Sequence, residues 1–319
     1  MAAMDATDSP FRPHPHDWDV VVIGRSYAGL SAALMAGRAR RSVLVVGTGG
    51  PRNEAVAHAH GLLSRDGVEP GDLLATAEAD LARYPNVELL DAWVTSLTAA
   101  EGDAGFRVQM GDRTTSARLA VLATGVNDAP PPIPGLAEHW GRGVFTCPFC
   151  DGWEHRDLPL VVVGDPMMGA HGSRMLRGGW SDDVTLIAPE GTLTPEAAVD
   201  LRSRGVILEP RSVRKVVGDG ASVSAVELDD GTTLAVGAVF CAGAPAPNAS
   251  LAVDLGAEVD DAGFVVTDPM RQTTVDGLWA VGDVRTPMHQ MSVAIADGTM
   301  AGGAAVGRLI EERVPPHQV

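Results

Sequence analysis

The chain has 319 residues, 45% apolar and 20% charged, which suits about two globular domains of roughly 150 residues and excludes a disordered chain. Its 24 basic residues against 41 acidic ones leave a net charge of −17, so neither nucleic acid nor an anionic membrane surface is an expected partner. Three cysteines exclude a disulfide-stapled scaffold, and 37 glycines and 22 prolines without a G-X-Y period read as tight turns.

The first residues carry no apolar h-region, and nothing later approaches 18 uninterrupted apolar residues. The expectation is a soluble, cytoplasmic protein with a loose arm over residues 1–17. Asp19–Ile23 is a short apolar run that suits a strand buried on both faces and ends at Gly24. Gly-Arg-Ser-Tyr-Ala-Gly (24–29), a helical stretch over Leu30–Ala39 and a strand over Ser42–Val46 follow. That is the pattern of a dinucleotide-binding βαβ unit.

Leu119–Gly125 reads as a strand ending in Ala-Thr-Gly. The three consecutive prolines of Asn127–Gly135 stiffen an extended crossing, which puts a domain boundary near residue 126. A second βαβ unit follows: Leu160–Val163, Gly164, a short loop, Gly169, a helix to about Gly178 and a strand over Val184–Ile187. Ala238–Asn248 looks like the return crossing, and Thr274–Asp283 precedes a final helix over about His289–Glu312. The fold class predicted is α/β, with two Rossmann-like domains of the three-layer ββα type. The first, 1–126 and 244–319, is discontinuous and encloses the second, 127–243, which carries the Cys-x-x-Cys pair.

In the first fingerprint Gly24 permits the tight turn and Gly29 close helix–strand packing, while Ser26 takes the middle-glycine place. The acidic ribose ligand expected at the end of the second strand is replaced by Gly47. An ordinary strand–turn–helix fits this motif equally well. In the second fingerprint Pro166 removes an N–H where a pyrophosphate needs backbone, and Glu190 would repel a 2′-phosphate. The reading is a Rossmann shape that has lost its nucleotide, with NADH left open through Glu190.

Cys147-Pro148-Phe149-Cys150 is the sharpest signal. At the start of a helix, positions i and i+3 share a face and the thiol pKa falls, which suits a redox pair. Zinc needs about four ligands, and only Cys241 remains, in an apolar run typical of a small buried side chain. Asp151 would take and return protons during exchange, and His155 reads either as a second proton carrier or as a solvated side chain.

Taken in order, Gly24–Gly29, Ala123-Thr124-Gly125, Cys147–Asp151, Gly164–Gly169 and Gly277–Asp283 resemble the low-molecular-weight thioredoxin reductases. Pro51-Arg52-Asn53, His60-Gly61, Arg65-Asp66-Gly67 and Cys147–Glu154 are similar to the dithiol oxidases of gliotoxin- and holomycin-type pathways. The resemblance implies FAD, with Gly24, Ser26 and Gly29 at the pyrophosphate, Thr124, Gly125 and Gly282 lining the cofactor, and Asp283 at its ribityl or phosphate side. It implies that the segment His289, Gln290 and Met291 approaches the isoalloxazine, and that the protein is a homodimer. The damaged second fingerprint departs from the reductases and favours an oxidase. A small-molecule dithiol would be the substrate and O2 the acceptor, giving H2O2. A nicotinamide-dependent disulfide reductase and a non-catalytic, dithiol-binding resistance protein remain the alternatives.

Overall fold

A computed structural model describes residues 16–100 and 105–313, so all but the end of the arm expected over 1–17 lies outside the described residues. In chain order the elements are β1 (Trp18–Ile23), α1 (Tyr27–Arg38), β2 (Val43–Val46), α2 (Pro70–Leu81), β3 (Val87–Leu90), β4 (Ser96–Ala99), β5 (Phe106–Met110), β6 (Arg113–Leu122) and β7 (Val126–Asn127). Then come β8 (Val144–Phe145), α3 (Pro148–Asp151), β9 (Leu160–Gly164), α4 (Pro166–Gly179), β10 (Val184–Ile187), α5 (Pro195–Ser203), β11 (Ile207–Glu209), β12 (Val213–Gly218), β13 (Val223–Leu228), β14 (Thr233–Ala235) and β15 (Ala238–Ala242). The chain closes with β16 (Ala246–Pro247), α6 (Ser250–Asp254), β17 (Leu278–Ala280) and α7 (Met291–Arg313).

Two compact units result. The first takes the chain up to Arg52, Gly71–Asn127 and the chain from Ala246 on; the second takes Asn53–Pro70 and Asp128–Pro245. In the first, β3, β2, β1 and β6 run parallel, and β6 continues into an antiparallel meander with β5 and β4. The late strand β17 joins the parallel part along Ala120–Leu122. Alternation along the strands builds three layers. Val21, Ile23, Leu44 and Val46 pack with Leu97, Phe106 and Val108 of the meander. Val20, Val22, Val43 and Val45 pack with Ala32, Ala36, Ala301 and Ala305 of α1 and α7.

The second unit repeats the plan. Strands β11, β10, β9, β15 and β8 form a parallel sheet. Val161, Val163 and Val239 face Val216, Val226 and Leu228 of the β12–β13–β14 ribbon, while Leu160, Val162 and Phe240 face Leu176 and Leu201 of α4 and α5. The fold is therefore the expected ββα arrangement, twice.

Three local expectations shift. The helix after the first fingerprint starts at Tyr27, so Gly29 lies inside it. The loop expected between Gly164 and Gly169 is helix from Pro166, because Asp165 supplies a cap and proline is tolerated at the first helical position. The segment Asn53–Pro70, read within the first domain, packs with the second unit. It folds back through Ala59 N–H to Val68 O at 2.8 Å, and its Ala55 backbone lies so close to Gly141 that a Cβ there would sit 2.6 Å away. α7 is long and apolar enough to cross a membrane by length and composition alone, yet it is a core helix with Ala301, Ala305 and Leu309 fully buried.

Candidate active site

In the first unit, β1 delivers the chain to the amino end of α1 through Gly24, whose φ is +119° and whose added Cβ would meet Ala123 O at 2.1 Å. A Cβ on Gly29 would meet Gly24 O at 1.9 Å, so both positions require the bare backbone that lets helix and strand approach. Ser26 is the N-cap of α1 without a side-chain capping bond, and no acidic residue stands in the first turn. The helix itself thus sets no acid beside its positive dipole end, the arrangement a pyrophosphate uses. Gly47 has a packing reason: a Cβ there would lie 2.6 Å from Arg25 N, leaving no room for an acidic ribose ligand.

The predicted Thr124 turns to the crossing: its hydroxyl donates to Asn248 O at 2.7 Å, and Asn248 Nδ2 donates back to Thr124 O at 2.9 Å. Gly125 has φ +68° and open space around it. Asp283 accepts from Arg52 Nη1 at 3.1 Å. The turn before it is held by a residue that sequence reasoning missed. Asp297 of α7, 1% exposed, accepts from Gly282 N at 3.2 Å, Arg271 Nε at 2.6 Å and Arg285 Nη1 at 2.9 Å. Gln290 and Met291 stand at the start of α7, where Ala294 N–H donates to Gln290 O at 2.9 Å.

The second unit handles its helix differently. Asp165 caps α4, its Oδ1 accepting from Met168 N at 2.9 Å, and Pro166 occupies the first turn. The Met168 N–H thus already has an acceptor from the chain itself, and Pro166 has no N–H to offer. A cavity of about 410 Å³ persists beside α4, at the carboxyl ends of the sheet strands, between Ala129, Pro131, Gly164, Asp165, Pro189 and Gly243.

Cys147 and Cys150 are joined in a disulfide with Cα atoms 5.3 Å apart, Cys147 at the N-cap of the single-turn α3 and Pro148 at its first position. Phe149 projects into solvent, 67% exposed, its ring edge-on to Trp180. Burial pushes the Asp151 carboxyl up to about 7; the nearby Glu154 charge pushes the same way, and His60 opposes both. His155 Nδ1 donates to the Asp151 carbonyl at 2.8 Å and its ring lies 4.8 Å from Phe145, so it holds the turn after the dithiol. Glu154 and His60, absent from the expected acid–base set, enter through this coupling. Glu154 lay in the motif, whereas His60 arrives from a distant segment that no local pattern ties to the cysteines. Cys241 is a core residue, its thiol pushed up to about 11 by burial and Asp128. Among the described residues no cluster of His, Cys, Asp and Glu suits a metal ion.

The sequence profile of the pyridine nucleotide-disulphide oxidoreductases matches residues 18–298. A thioredoxin reductase of Treponema pallidum is 32% identical over 305 residues, 91% of this chain and 96% of that one. Thioredoxin reductase aclD of Aspergillus oryzae is 29% identical over 308 residues, 92% and 96% of the two chains. A probable thioredoxin reductase of Arthroderma benhamiae is 40% identical over 169 residues, and the match spans only 42% of that protein. Among solved structures, HlmI superposes with a TM-score of 0.89 at 36% identity, covering 94% of this chain and 95% of that one. An oxidoreductase from Agrobacterium tumefaciens gives 0.83 at 36% identity, covering 92% and 98%.

Proposed function

This chain belongs to the pyridine nucleotide-disulphide oxidoreductase family, and within it we propose an FAD-dependent dithiol oxidase that closes an intramolecular disulfide in a small molecule. The protein is a thioredoxin-reductase-like flavoprotein, and family members bind FAD. The residues present fit that cofactor: Gly24 and Gly29 keep the approach bare, the first turn of α1 carries no acid, and Asp283 is oriented by Arg52. Bound FAD supplies the two-electron couple and the route to O2, which leaves as H2O2.

The observation that carries the oxidase over a reductase is the contrast between two helices. The N-cap of α1 makes no side-chain bond and its first turn carries no acid, whereas α4 is capped by Asp165 and begins with Pro166, which has no N–H. An amino end that already holds a carboxylate of the chain supports entry of electrons from a dithiol rather than from a pyridine nucleotide. Asp151 as carboxylate takes the proton of the first substrate thiol, and the thiolate attacks Cys147 Sγ, releasing Cys150 as thiolate. The second substrate thiol attacks the mixed disulfide, its proton passing to the departing Cys147 sulfur, and the product disulfide closes. The enzyme is left as the Cys147/Cys150 dithiol, holding the two electrons that a bound flavin would accept. The order of the two cysteines follows the family resemblance, as does a homodimer, which sedimentation of the holoenzyme tests. The alternative, a nicotinamide-dependent disulfide reductase, is favoured by the cavity retained beside α4.

The deciding experiment mixes holoenzyme under nitrogen with NADPH, NADH or dithiothreitol. The oxidase reading expects rapid bleaching of the flavin by the dithiol alone and, in air, one H2O2 per disulfide. Flavin reduction by either nucleotide faster than about one per second, an ordinary enzymatic rate, overturns it in favour of the reductase.

A further inference from the structure

The Asn53–Pro70 segment brings to the second unit charged groups that the exchange scheme leaves unused. His60 stands between two carboxylates: Nδ1 is 3.5 Å from Asp66 Oδ2 and Nε2 is 3.5 Å from Glu154 Oε1. Its side chain is 20% exposed, against 68% for Asp66 and 39% for Glu154. The loop tip is pinned on both sides of it. Gly61 N–H donates to Asp66 Oδ1 at 2.8 Å, and Gly67 N–H donates to Ala59 O at 2.9 Å. Gly61 and Gly67 have φ of +79° and +78°, conformations that side chains disfavour. A mobile surface histidine needs none of this; a histidine held between Asp66 and Glu154 does.

We propose that His60, held 3.5 Å from Glu154 on the turn that follows Asp151, is a positioning residue of the dithiol site, and that the His60–Glu154 pair sets the pH range in which the cysteines exchange. The inference rests on the dithiol-exchange reading above. A protonated imidazole favours the Asp151 carboxylate, and the Glu154 carboxylate disfavours it, so the two act on the same proton with opposite signs. Asp66, whose carboxyl is held low by the Gly61 N–H and then by His60, fixes the imidazole from the far side. Of the other charged groups of the turn, His155 bonds the Asp151 carbonyl, and the Arg156 guanidinium lies 4.2 Å over the Trp153 ring and donates to Trp153 O, while Asp157 lies beyond them. The balance at Asp151 is therefore struck between Glu154 on its own turn and His60 from the returning loop.

The test compares holoenzyme carrying His60→Gln, Asp66→Asn or Glu154→Gln, with Asp151→Asn as reference. One readout is the infrared band of the protonated Asp151 carboxyl, identified by its loss in Asp151→Asn and followed against pH. The other is the pH profile of anaerobic flavin reduction by dithiothreitol. In the parent both should turn near pH 7, the value to which Asp151 is pushed. Glu154→Gln should move the midpoint down and His60→Gln up, each by roughly one pH unit, with Asp66→Asn following His60→Gln. If His60→Gln does not fold, Asp66→Asn carries the same sign. Midpoints that stay put, or move the same way in Glu154→Gln and His60→Gln, overturn the proposal. If dithiothreitol fails to bleach even the parent, the oxidase reading falls, and the infrared titration still decides the role of His60.

Discussion

Asp151 is a carboxyl whose charge is unwelcome in the folded chain. Its pKa rises from an ordinary 3.8 to about 7, so between those values the native state holds a proton that the unfolded state has lost. Stability therefore falls as pH rises through that window, and the whole penalty is present above about pH 7. Asp151→Asn should raise stability by about 1–3 kcal/mol at pH 8 and leave it unchanged at pH 4, read from urea unfolding at the two pH values. Equal effects at both would mean that the carboxyl is not shielded. The cysteines make a second test. With a small acyclic disulfide, Cys150→Ser should form a mixed disulfide through Cys147 at least roughly tenfold faster than Cys147→Ser does through Cys150, by intact mass. Reversed rates would exchange their roles. The pair itself was legible because i, i+3 spacing is a local property, and Asp151 was legible by adjacency. The proton affinity of Asp151 was not, because burial, Glu154 and a loop from far upstream combine to set it.

At the scale of elements, apolar runs announced β1, β2, β9 and β10 because a strand buried on both faces needs nothing else. The loop Asn53–Pro70 has no such period, and its place follows from tertiary contacts such as Ala55 against Gly141. The role of Asp165 was hidden for a related reason: Pro166 read as damage to a phosphate loop, whereas the two residues together start a helix that caps itself. The packing of α1 on α7 was likewise invisible from either helix alone. A Cβ on Gly298 would lie 2.1 Å from Ala28 O, and one on Gly302 2.5 Å from Ala32 O. Close contact with α7 thus fixes α1, the helix whose amino end we propose for the cofactor. Gly298→Val should destabilise the protein by about 1–3 kcal/mol, as overpacking does, and lower the flavin content of purified protein. Full occupancy with unchanged unfolding would mean that α7 can move away without consequence for the site.

The molecule as a whole is one ββα unit interrupted by another, and the interruption is closed by a very small device. β7 and β16 pair antiparallel, Ala246 opposite Asn127 and Pro247 opposite Val126, so the chain leaves and re-enters the first unit at neighbouring points. Thr124 and Asn248 bond each other's main chain across the same gap, and Asn127 Nδ2 donates to Asn248 Oδ1 at 2.8 Å. Both cores of the first unit draw only on its own segments, including β17 and α7 from beyond the insertion. We therefore expect that Asp128–Pro245 can be replaced by two glycines between Asn127 and Ala246. Directly opposed residues of an antiparallel pair are only about 5 Å apart at Cα, within reach of so short a link. The shortened chain should unfold cooperatively and retain FAD, since Gly24, Gly29, Arg52, Asp283 and Asp297 all remain. It should show no disulfide exchange, having lost Cys147 and Cys150. Circular dichroism melting and the visible flavin spectrum read the first two outcomes. A chain that is unfolded or colourless would show that the first unit depends on its insertion for more than the dithiol.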